Sequence, residues 1–144
     1  MTLPKQFESA APIRDTHETP PALFAKYNAV WRFTLDVCAL PETAKCARYF
    51  TPVEDGLLQD WGANVCWMNP PYGRKITRWL VKARDAASKG ATVVCLVPSR
   101  TGTRWWHDHV MRGEIEFIKG RIKFVGSKTG AKFDSAIVVF RPNA

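Results

Sequence analysis

The sequence predicts a single α/β domain, a three-layer sandwich with helices packed around a mixed, largely parallel sheet. Apolar strand-like runs alternate with helix-patterned segments, the order that builds such sheets. Residues 91–97 form an unbroken apolar run, as a parallel strand covered on both faces requires. A chain of 144 residues has room for one domain with a real core, not two.

Residues 1–18 are polar and aperiodic with two prolines, which predicts a flexible N-terminal arm before a domain spanning 19–144. Thr19 makes a good helix N-cap, with Pro20 at the first helical position and Leu23, Phe24 and Tyr27 on one face. Residues 33–39 read as a buried strand, 41–48 as a short helix, and 49–60 as loop with room for a short strand. Val65–Met68 is the next strand. Ile76–Ser88 is the clearest helix, because Ile76, Trp79, Leu80, Ala83 and Ala87 recur every three or four residues, and Gly90 suits its C-terminal cap. A short helix is predicted over 105–111. Strands over 115–118, 122–125 and 135–141 close the sheet.

Charge is distributed unevenly. Residues 1–69 carry six Lys and Arg against eight Asp and Glu; residues 70–144 carry fifteen against five, for a total of +8. A basic second half suits a polyanionic partner, nucleic acid above all. There is no run of eighteen apolar residues and no basic-then-apolar leader pattern, so a soluble, cytoplasmic protein without membrane partners is expected. The four cysteines lack C-x-x-C pairing or His partners at ligand spacing, which argues against a metal site.

The segment that suggests chemistry is Asn69-Pro70-Pro71-Tyr72, at the carboxyl end of the Val65–Met68 strand. Two prolines cannot continue a central strand, so the segment is a rigid turn where open α/β sheets place their sites. The Asn69 side-chain oxygen and the Pro70 carbonyl are acceptors, and Tyr72 offers a flat face. Together they suit a planar base bearing an exocyclic amino group. Two acceptors on its N–H bonds would favour a pyramidal nitrogen with a localised lone pair, poised to act as a nucleophile.

Asn-Pro-Pro-Tyr resembles the catalytic motif of amino-methyltransferases. The chain as a whole resembles the small Dam-like DNA N-6-adenine methyltransferases of phages and prophages. The resemblance is carried by Thr19-Pro-Pro-Ala-Leu-Phe24, Thr34-Leu-Asp-Val-Cys-Ala39, Asp55-Gly-Leu-Leu-Gln-Asp-Trp61, Trp67-Met-Asn-Pro-Pro-Tyr-Gly73, Pro98-Ser-Arg-Thr-Gly-Thr-Arg-Trp-Trp-His107 and Phe133-Asp-Ser-Ala-Ile-Val-Val-Phe140. It covers roughly residues 17–141, nearly the whole chain.

The resemblance implies a Rossmann-like methyltransferase sheet, S-adenosylmethionine as cofactor, duplex DNA as partner, and a bacterial host cytoplasm as location. It implies Asn69, Pro70, Pro71 and Tyr72 as catalytic residues. Asn69 also borders the cofactor, with Asp36 toward the methionine ammonium, Thr19-Pro20 toward its carboxylate, Asp60 and Trp61 at the adenine, and Asp55 at the ribose. The usual glycine-rich turn after Asp36 is replaced by Val-Cys-Ala-Leu-Pro. A target base extruded from the duplex would stack on Tyr72, opposite Phe124 or Phe133. Arg100, Thr101, Lys123, Lys128 and Lys132 are the candidate DNA contacts.

Cytosine C5 methylation needs a thiolate, typically from a cysteine following proline, and none of the four cysteines does. Cytosine N4 methylation uses the same kind of turn and stays open at this stage. So do an RNA or free-base substrate and a non-catalytic nucleic-acid-binding relative. The lack of an inserted recognition segment predicts short or relaxed sequence specificity. Recognition sequence and oligomeric state are not legible.

Overall fold

The computed structural model describes residues 17–142. In chain order it contains α1 (Pro21–Trp31), β1 (Leu35–Asp36), a 3-10 turn (Gly56–Leu58), β2 (Val65–Met68), α2 (Ile76–Ser88), β3 (Thr92–Pro98), α3 (Arg104–Asp108), a second 3-10 turn (Val110–Arg112), β4 (Glu114–Phe117) and β5 (Ser135–Phe140). Among the described residues the result is a mixed α/β fold: one five-stranded sheet in the order β1-β2-β3-β5-β4, with three α-helices. β1, β2 and β3 are parallel, and β5 runs antiparallel to both β3 and β4. β5 is therefore the one reversed strand in the sheet.

The ladder assigns the faces. Trp67 pairs with Val94, Val94 with Val139 and Val139 with Glu114, so these four and their next-but-one neighbours share a face. Phe24 of α1 meets Trp67 edge-on at 5.3 Å, and the Tyr27 hydroxyl donates to Glu116. Helix α1 thus crosses this face from β2 to β4. Trp106 of α3 stacks on Phe117, which points to the opposite face. β3 and β5 are buried almost throughout, and the core is contiguous across the sheet. Burying these apolar side chains is the main drive to this arrangement.

The structure corrects the sequence reading at several elements. The 33–39 strand shrinks to Leu35–Asp36, with residues 48–50 running alongside through an Asp36–Tyr49 bridge. Residues 41–48 form turns rather than a helix, because their backbone is drawn to Asp36: the Lys45 N–H donates to its carboxylate at 3.0 Å. Residues 122–125 are not a strand; the Val125 N–H donates to the Glu18 carbonyl at 3.1 Å instead of to a sheet neighbour. Thr19 is not the N-cap of α1. Pro20 holds that position without a side-chain cap, and Pro21 opens the helix.

Candidate active site

Parallel strands β2 and β3 end at the same edge of the sheet, and the expected turn lies there. Pro70, Pro71 and Tyr72 are buried and Asn69 half-buried. The Tyr72 hydroxyl donates to Asn69 Oδ1 at 2.8 Å and lies 3.2 Å from the Leu96 carbonyl of β3. Burial holds the Tyr72 phenol well above its ordinary pKa, so at neutral pH it is a donor. The Asn69 amide nitrogen donates to Thr19 Oγ1 at 3.1 Å and to the His17 carbonyl. These contacts fix the amide so that its oxygen faces Tyr72. That oxygen retains a second lone pair.

Around Tyr72 lies an aromatic box. Phe133 and Phe124 present themselves edge-on, with ring centroids at 5.8 and 6.3 Å. The sequence left a choice between these two phenylalanines; the structure brings both to Tyr72. A third ring, which the sequence reading placed in the arm, completes the group. His17 stacks on Tyr72 at 4.8 Å with 17° between planes, and Phe124 and Phe133 meet it edge-on. Residues 1–16 lie outside the described residues, but His17 and Glu18 are held against the domain. Glu18 also pairs with Lys45 at 3.6 Å. An aromatic residue two positions before Thr19 was the available signal.

Asp36 sits at the end of β1, 2% exposed. Its carboxylate accepts from the Cys38 and Lys45 backbone N–H groups at 3.2 and 3.0 Å. Burial pushes its pKa up to about 6, against the downward pull of those N–H groups and the Lys45 ammonium. A buried carboxylate this short of counter-charge is suited to a cationic ligand, since a nearby cation would stabilise its charged form. Asp55 is close to the same edge: it raises the Cys38 thiol pKa, after burial and Asp36. The following residue, Gly56, approaches the Val37 carbonyl so closely that a Cβ would stand 2.1 Å from it. Asp55 caps Leu57 at 3.1 Å from a left-handed backbone, φ 57°.

The structure parts Asp60 and Trp61 from this group. Asp60 is exposed, caps the Gly62 N–H at 2.8 Å and lines a surface hollow with Lys82, Asp85 and Lys89 toward the far end of α2. Trp61 is 1% exposed; its indole N–H donates to the Gly56 carbonyl at 2.8 Å, and its ring lies against Trp79. It belongs to the core and holds the 3-10 turn in place. Thr19, 1% exposed, accepts from the Asn69 amide nitrogen through its hydroxyl oxygen, and Pro20 beside it is half-buried.

Arg100 and Thr101 are exposed on the turn after β3, at the same edge as Asn69. Lys123, Lys128 and Lys132 are exposed on the loop that carries the two phenylalanines. Among the described residues there is no cluster of side chains that could hold a metal ion, and no helix is long and apolar enough to cross a membrane. Burial pushes the Cys46 and Cys66 thiols up to about 12, and raises those of Cys38 and Cys95 further. None of the four is poised as a thiolate nucleophile.

A rigid acceptor turn, an aromatic box and a buried carboxylate thus lie together at one edge of a mixed sheet. The profile of the DNA N-6-adenine-methyltransferase (Dam) family matches residues 6–141, and the chain belongs to that family. It is 31% identical over 121 residues to the DNA N-6-adenine-methyltransferase of Haemophilus phage HP1 (strain HP1c1), an alignment covering 78% of this chain and 69% of the phage protein.

Proposed function

We propose that this protein methylates the exocyclic N6 of adenine in duplex DNA, with S-adenosylmethionine as donor and the Asn69–Tyr72 turn as the catalytic centre. Family membership supports adenine-N6 methylation. The observation that carries the site assignment is the juxtaposition of a fixed Asn69 amide oxygen with the aromatic box of Tyr72, Phe124 and Phe133. A sheet in which a single reversed strand lies between β3 and β4 supports reading the fold as a Rossmann-like methyltransferase sandwich.

Each group has a task in this reading. The box stacks an extruded base, a contact worth roughly 1–3 kcal/mol. The Asn69 oxygen and the Pro70 carbonyl accept the N6 protons and orient the nitrogen lone pair. Asp36 holds the methionine ammonium, and Asp55, rather than Asp60, lies where the nucleoside end of the cofactor can be met. Thr19 holds Asn69 in place by accepting from its amide, and its own O–H remains a donor for the methionine carboxylate. When bound, S-adenosylmethionine supplies the methyl group on a sulfonium. Arg100, Thr101 and the three loop lysines supply phosphate contacts.

Mass spectrometry of nucleosides tests the proposal. DNA from cells expressing the protein should gain N6-methyladenine, and the Asn69→Ala variant should add none while keeping its fold. N4-methylcytosine in its place would overturn the adenine assignment but leave the acceptor mechanism standing. No methylated base from the unmodified chain would favour a binding role.

A further inference from the structure

Tyr72 is 6% exposed, and His17 lies parallel to its ring at 4.8 Å. The imidazole is a flat nitrogen heterocycle, stacked on Tyr72 and gripped edge-on by Phe124 at 5.0 Å and Phe133 at 5.5 Å. A base that stacks on Tyr72 within this box must take the place that His17 holds. We propose that His17 is an intramolecular stand-in for the target base, which fills the box of the DNA-free protein and leaves when a base enters. The proposal rests on the assignment of the box to the target base made above.

The backbone makes the exchange more than a side-chain swing. The His17 carbonyl accepts from the Asn69 amide nitrogen, and the next carbonyl, of Glu18, accepts from the Val125 N–H at 3.1 Å. The Glu18 carboxylate pairs with Lys45, whose own N–H is bonded to Asp36. Residues 17 and 18 thus strap the catalytic turn to the 122–133 loop and to the Asp36 turn. Withdrawing His17 from the box also loosens its carbonyl from Asn69. A site open only part of the time binds its ligand more weakly by the fraction that is open. The strap therefore sets a threshold that a weakly extruded base fails to cross.

Adenosine is the probe, titrated into the full chain carrying isotope-labelled histidine rings and followed by NMR. The expected result is that adenosine moves the His17 ring signals to the positions of a solvent-exposed imidazole. His17→Ala should bind adenosine about five- to tenfold more tightly than the unmodified protein, since no competitor then fills the box. His17→Phe, with a larger flat ring, should bind it more weakly. Adenosine binding no tighter in His17→Ala, or His17 signals unmoved at saturation, overturns the proposal. If Tyr72→Ala meanwhile loses adenosine, only the stand-in role falls. If Tyr72→Ala binds adenosine unchanged, the box is not the base site and both readings fall.

Discussion

The Tyr72 hydroxyl donates to the Asn69 side-chain oxygen at 2.8 Å, so the two outer residues of the turn hold one another. Tyr72 therefore has two separable tasks: its ring face stacks, and its hydroxyl positions the amide. Tyr72→Phe keeps the first and loses the second. Because Thr19 still holds the Asn69 nitrogen, loss of one neutral hydrogen bond, about 0.5–1.5 kcal/mol, should lower the methylation rate by no more than about tenfold. Tyr72→Ala should abolish it. Single-turnover rates separate the two variants; equal inactivity would show that the hydroxyl takes part in the chemistry.

Asp36 predicts a pH dependence. Its folded pKa of about 6 lies above the ordinary carboxyl value of about 4, so the folded state favours the protonated form. This contribution to stability is fully present below about pH 4 and is lost as pH rises through about 6. Urea midpoints should show the unmodified protein losing stability over that window relative to Asp36→Asn. Cofactor binding should run the other way, since the ammonium needs the carboxylate. Its affinity should fall about tenfold per pH unit below about 6, and calorimetry should find the Asp36→Asn affinity weak and flat with pH. A pH-independent affinity in the unmodified protein would remove Asp36 from the ammonium site.

Asp55 and Asp60 should separate cleanly. Asp55→Asn keeps a residue that tolerates the left-handed backbone and loses the charge, so cofactor affinity should drop about tenfold. Asp60→Ala, on the exposed turn, should bind cofactor as before. Trp61→Ala should destabilise the fold by about 3–5 kcal/mol, as for a large buried aromatic. Denaturation and calorimetry on the three variants check this; a cofactor defect confined to Asp60→Ala would reverse the assignment.

What the sequence made legible follows the range of the forces involved. Helix Ile76–Ser88 shows in a local period, and β2, β3 and β5 in apolar runs, because each buries its own side chains. The Asn69–Tyr72 turn is legible because two prolines restrict the backbone wherever they stand. Residues 41–48 and 122–125 mislead because their backbone partners, Asp36 and Glu18, are remote in sequence. Asp60 was implied by the resemblance, and the path of the chain places it in a surface hollow beside Lys82, Asp85 and Lys89. His17 escaped for a related reason: a polar, aperiodic stretch reads as an arm, and only the assembled box shows where its ring goes.

The loop lysines make the last prediction. Lys123, Lys128 and Lys132 are exposed, and none forms an ion pair among the described residues. Phe124 in their midst is buried in the box, 3% exposed. Charge and stacking on this loop should therefore come apart. Replacing the three lysines with Gln should lower the log–log salt slope of DNA binding by up to about three units, because each neutralised phosphate releases counterions. Cofactor affinity should stay put, since Asp36 and Asp55 lie on other segments. Phe124→Leu keeps an apolar side chain for the core and loses the ring, so turnover should fall while the salt slope holds. Fluorescence anisotropy across a salt series measures the slope. If the slope ignores the three lysines, DNA docks on another face, and the Arg100–Thr101 turn is the next surface to neutralise.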